Sequence, residues 1–92
     1  MDVQIGLGVV VNTGATVNHD CLLSDGVHIA PGSHLSGDVF VGDGSWVGVG
    51  ACVKEGVRIG KNVLVGAGAV VVSDLPDNVT VAGNPARIIK RD

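Results

Sequence analysis

From Ile5 onward every sixth residue is aliphatic: Ile5, Val11, Val17, Leu23, Ile29, Leu35, Val41, Val47, Val53, Ile59, Val65 and Val71. Val, Ile and Leu make up about a third of the chain, so an unbroken run of this length arises by chance roughly once in 10^5 sequences. Three residues after each of these stands Gly8, Gly14, Asp20, Gly26, Gly32, Asp38, Gly44, Gly50, Gly56, Asn62, Gly68 or Asp74. Only Gly, Asp and Asn occur in that column, the residue types that tolerate a left-handed backbone, so a sharp bend recurs at every repeat. The next column, from Val9, Ala15 and Cys21 to Ala69 and Leu75, is small or aliphatic throughout.

A short strand with one inward aliphatic side chain, then a bend, repeated every six residues, makes neither helices nor long hairpins. It makes a coil with flat sides. Three sides close one triangular turn of eighteen residues, and the repeats supply about four turns stacked at the ordinary strand spacing of about 4.8 Å. Residues eighteen apart then lie one above the other, which predicts three aliphatic ladders: Ile5, Leu23, Val41 and Ile59; Val11, Ile29, Val47 and Val65; Val17, Leu35, Val53 and Val71. The same arithmetic sets Gly37 on the edge that carries His19, with Glu55 next along it. The period stops after Leu75 and Pro76, so the expected organisation is a β-helix over 1–76 and a C-terminal cap and tail over 77–92. In the tail, Ile88 and Ile89 are candidates to close the open end of the prism.

Composition narrows the function. Aromatic residues are 2% of the chain, only Phe40 and Trp46, and the net charge is −3, which argues against stacking on bases or binding a phosphate backbone. No apolar run is long enough to span a membrane and the first residues lack the form of a signal peptide, so a cytoplasmic chain is expected. Cys21 and Cys52 have no C-x-x-C spacing and read as ordinary thiols, not as a disulfide, a zinc knuckle or a nucleophile. All six basic residues lie in 54–92, and Arg87, Lys90 and Arg91 in the tail offer a resting place for anionic phosphates. The three histidines, His19, His28 and His34, are spaced by nine and six, which puts His28 and His34 on adjacent sides facing away from each other. One chain cannot gather them around a metal.

With these columns the sequence resembles the hexapeptide-repeat acyltransferases, which implies an all-β, left-handed parallel β-helix of about four triangular coils with a short C-terminal cap. The segments "NTGATVNHDCLL", "HIAPGSHLSG" and "VAGNPARIIK" are most similar to the sialic acid O-acetyltransferase and UDP-N-acetylbacillosamine N-acetyltransferase group. That resemblance implies acetyl-CoA as co-substrate, no metal, a homotrimer, and an amino sugar or sugar hydroxyl as acceptor. It makes His19 the general base and Gly37 the backbone N–H that meets the developing oxyanion, a place where a side chain would obstruct. Asp20 matches the acidic partner of the base, although its bend column accounts for an Asp on backbone grounds as well. His28 matches a second histidine near the acetyl group, and Gly83, Asn84, Pro85, Arg87 and Lys90 match the tail that borders the coenzyme. His34 has no counterpart and is read as a surface or interface residue.

Two other readings stand beside this one. The γ-class carbonic anhydrases build intersubunit metal sites on this fold, but their acid, glutamine and histidine spacing is not matched. A non-catalytic scaffold is the other; an ice-binding prism lacks its threonine ladder, since Thr13, Thr16 and Thr80 do not stack. The chain also departs from the family in starting almost within a coil, without the N-terminal domain that holds a nucleotide sugar. Acceptor identity, and the choice between a minimal and a truncated form, are left open by the sequence. Outward apolar residues Phe40, Trp46, Val49 and Leu64 favour side-by-side packing of prisms. The apolar first coil favours end-to-end stacking into a hexamer, or covering by residues 1–4.

Overall fold

The structure, a computed structural model, describes residues 2–92. Twelve two-residue strands follow one another at the predicted spacing: β1 (Gln4–Ile5), β2 (Val10–Val11), β3 (Thr16–Val17), β4 (Leu22–Leu23), β5 (His28–Ile29), β6 (His34–Leu35), β7 (Phe40–Val41), β8 (Trp46–Val47), β9 (Cys52–Val53), β10 (Arg58–Ile59), β11 (Leu64–Val65) and β12 (Val70–Val71). Two longer strands end the chain, β13 (Val79–Ala82) and β14 (Arg87–Arg91). Every third strand stacks in parallel, giving three sheets in the orders β1-β4-β7-β10, β2-β5-β8-β11-β13-β14 and β3-β6-β9-β12. They are called the first, second and third faces below. The result is a left-handed parallel β-helix of about four turns.

Register reproduces the ladders. Ile5 pairs with Leu23, Leu23 with Val41 and Val41 with Ile59, and the Val11 and Val17 ladders run the same way. Leu23, Ile29, Leu35, Val41, Val47, Val53, Ile59, Val65 and Val71 are buried completely or nearly so. The bend column takes the left-handed conformation from Gly8 to Gly68, including the non-glycine residues Asp20 (φ 58°), Asp38 (φ 59°) and Asn62 (φ 53°). Asp74, the last of that column, does not, and regular winding ends there. Ser33 and Ser45 are buried in the column of small residues with their hydroxyls satisfied: Ser33 donates to Ala30 O at 2.7 Å, and Ser45 donates to Gly60 O at 2.7 Å. Because Ile29 is wholly enclosed between Val11 and Val47, Ile29→Ala is expected to cost about 2–5 kcal/mol, read as a lowered midpoint in chemical denaturation.

The two ends differ. At the start, the inward-ladder residues Ile5 and Val11 are exposed, because among the described residues no coil stacks below the first; Met1, part of the segment expected to cover it, lies outside the described residues. At the other end Leu75, Val79 and Val81 carry burial past the last regular coil, with β13 stacking in parallel on β11. The expected closure by Ile88 and Ile89 is not seen: both are exposed, because β14 turns back antiparallel along the outer edge of the second face. Gly83, at φ 96°, and a cis Asn84–Pro85 bond form the turn between the two strands. Phe40 is only half-exposed, since the Arg58 guanidinium lies 4.5 Å above its ring; Trp46, Val49 and Leu64 face outward as expected.

Candidate functional site

His19 stands at the corner between β3 and β4, the edge where the third face meets the first of the next coil. Gly37 occupies the same corner one coil on, and Asp38 N–H donates to the His19 carbonyl at 3.0 Å, locking the two turns in register. The imidazole lies against Gly37: a Cβ added there would come within 2.5 Å of both Cε1 and Nε2 of the ring. Gly37 has no positive φ, so its backbone does not require glycine. Gly42 makes the contrast, where an added Cβ would strike the Gly60 and Lys61 backbone at 2.7 Å. At position 37 the obstacle is a side chain, and the missing Cβ is what seats the imidazole.

Asp20 follows in the left-handed conformation, which brings its carboxylate back toward the ring it succeeds; His19 Nδ1 lies 3.3 Å from Oδ2. A carboxylate only accepts, so the neutral ring holds its hydrogen on Nδ1 and offers the Nε2 lone pair as a proton acceptor. Both side chains are about half exposed, at 50% and 48%, so the pair serves orientation more than stability. Asp38, which sequence reasoning did not single out, joins them: one ligand atom each of His19, Asp20 and Asp38 lie within 4.8 Å of one another. Two carboxylates thus stand beside the ring. The Gly37 carbonyl accepts the Gly56 N–H at 3.0 Å, while its own N–H is left without a partner among the described residues.

The remaining candidates lie elsewhere. His28 projects from β5 on the second face, the sheet in which β14 carries Arg87, just after the Gly83–Pro85 turn, and Lys90 further along. That face is opposite the His19 edge. His34 is on β6 of the third face, its Nδ1 2.7 Å from Thr16 Oγ1. The three histidines thus occupy separate parts of the prism. Cys21 is buried, its thiol pushed up by burial and donating to Ser36 O at 3.1 Å, and Cys52 is exposed on the third face; neither adjoins the His19 ring as a nucleophile would.

The bacterial transferase hexapeptide (six repeats) family pattern matches residues 38–73. Among solved structures, a mutant of perosamine N-acetyltransferase from Caulobacter crescentus, in complex with CoA and GDP-perosamine, is 50% identical with a TM-score of 0.95 over 99% of this chain and 43% of its own. The acetyltransferase domain of PglB from Neisseria gonorrhoeae, in complex with acetyl coenzyme A, is 53% identical with a TM-score of 0.89 over 95% of this chain and 44% of its own. Serine acetyltransferase from the same organism is 34% identical with a TM-score of 0.90, over 97% and 39% respectively. The chain therefore spans less than half the length of each of these three relatives. No curated protein sequence matches it. By its repeats, its winding and these likenesses the chain is a hexapeptide-repeat β-helix protein, similar over nearly its whole length to part of known sugar N-acetyltransferases.

Proposed function

We propose that this chain transfers an acetyl group from acetyl-CoA to the amine of an amino sugar or to a comparable hydroxyl. The observation that carries the reading is the imidazole seated on Gly37 with its Nδ1 turned to Asp20, in a fold shared with acetyltransferases at 50% identity. The acceptor nitrogen or oxygen attacks the thioester carbonyl carbon while His19 Nε2 removes its proton. The tetrahedral oxyanion meets the Gly37 N–H, and Asp20 and Asp38 offset the charge of the imidazolium. Collapse breaks the carbon–sulfur bond, and the departing thiolate takes the proton from His19. No covalent enzyme intermediate and no metal enter the sequence.

The basic tail and His28 supply the binding half of this reading. Their face lies opposite the His19 edge of the same prism, so a coenzyme touching both is held between neighbouring chains, and a homotrimer closes such contacts by symmetry. The exposed Trp46, Val49 and Leu64 are apolar material for that packing. GDP-perosamine, bound by the Caulobacter relative, supports an amino sugar as acceptor class.

Thiol release from acetyl-CoA, measured with the purified protein against amino sugars, sialic acids, simple amines and water, tests the proposal. An amino sugar is expected to raise release well above the hydrolytic background, one thiol per acetylated amine. Coenzyme A binding without release in any acceptor's presence would instead favour a non-catalytic scaffold.

A further inference from the structure

His28 is gripped from two coils at once. Its ring stacks on the Trp46 indole with centroids 4.0 Å apart and planes 9° from parallel, the two residues being in direct register on β5 and β8. From the preceding coil, Asn12 places its amide Nδ2 2.9 Å from His28 Nε2. An amide NH2 can only donate, so Nε2 accepts and the neutral ring carries its hydrogen on Nδ1. His19 also carries its hydrogen on Nδ1, but there Asp20 occupies the N–H end and Nε2 has no hydrogen-bond partner among the described residues. The two rings thus share one tautomer and offer opposite ends: His19 a lone pair, His28 an N–H.

We propose that Asn12 and Trp46 are positioning residues that present His28 to a bound ligand as an Nδ1–H hydrogen-bond donor, the amide placing the hydrogen and the indole fixing the plane. With its only lone pair engaged by Asn12, His28 is not set to take a proton, which separates it from the base. Outward from it on the same face come Trp46, Leu64, Thr80 and Lys90 in successive registered strands. At about 4.8 Å per strand they extend about 19 Å. A polar donor, an apolar strip and a cation in that order fit an extended ligand with a carbonyl at one end and phosphate at the other. Identifying that ligand as acetyl-CoA rests on the activity proposed above; the tautomer and the grip do not.

The test uses the full-length chain labelled with 15N, in which long-range proton–nitrogen correlations report the tautomer of each imidazole, together with calorimetric titration of acetyl-CoA. Wild-type His28 is expected to be protonated on Nδ1. In Asn12→Asp a carboxylate replaces the amide and can only accept, so the hydrogen is expected to move to Nε2 and acetyl-CoA affinity to fall about tenfold, the size of one hydrogen bond. Trp46→Leu is expected to keep the tautomer yet lose a similar factor in affinity, and Trp46→Phe to restore most of it. An Nε2-protonated wild type, an Asn12→Asp variant with unchanged tautomer, or a reversed tautomer with undiminished affinity would each overturn the inference. If both readouts behave as expected but no acceptor is acetylated, the inference stands and the proposed activity falls.

Discussion

His19→Ala is expected to lower kcat for acetyl transfer by about 10²–10⁴ while leaving thermal stability and acetyl-CoA affinity close to wild type. The size follows from removing a general base, and the selectivity follows from placement. His19 projects from a corner outside the three aliphatic ladders with its side chain half exposed, so truncation buries nothing new and opens no cavity. Steady-state kinetics beside a melting curve and a coenzyme titration separate the cases. An unchanged kcat would remove His19 from the chemistry, and a fall in melting temperature matching the loss of rate would make its role structural. His34→Ala is the internal control, since that ring projects from β6 in the third sheet, bonded to Thr16 Oγ1 and not to the His19 ring.

Gly37→Ala is expected to be nearly as damaging, on the order of 10² in kcat, through a single added methyl group. That methyl would sit 2.5 Å from two atoms of the His19 ring, closer than nonbonded atoms approach, so the imidazole must swing away from its seat. Backbone strain adds nothing, because Gly37 lies outside the left-handed region, and the fold is expected to survive. The decisive measurement is the double variant. If Gly37→Ala acts by displacing the base, it costs little further rate once His19 is alanine, the non-additivity of two residues acting as one unit. Additive losses would mean that the Gly37 N–H acts independently of the ring above it.

Much of this was legible because the sequence repeats. A six-residue period converts position into place: once eighteen residues make a turn, the pairing of Ile5 with Leu23 and the stacking of Gly37 on His19 follow by addition. Asp38 beside Asp20, and Trp46 beside His28, obey the same sum and could have been found with it. What addition does not supply is side-chain direction. The folding of the Asp20 carboxylate back toward His19 depends on a left-handed φ, and the reach of Asn12 to His28 crosses a gap of sixteen residues, off the ladder by two. The tail was least legible, because once the period lapses nothing in "GNPARIIK" dictates whether it covers the end of the prism or doubles back along a side. Antiparallel pairing of β14 with β13 decides for the side and leaves Ile88 and Ile89 in solvent.

Main-chain topology, more than any side chain, holds the His19 corner and the cationic hairpin back to back. They lie on opposite sides of a prism 21 to 22 Å across, with the buried aliphatic ladders between them. The reaction proposed above, which draws on both, would fall at a seam between molecules, and its parts would be lost or gained with the seam itself.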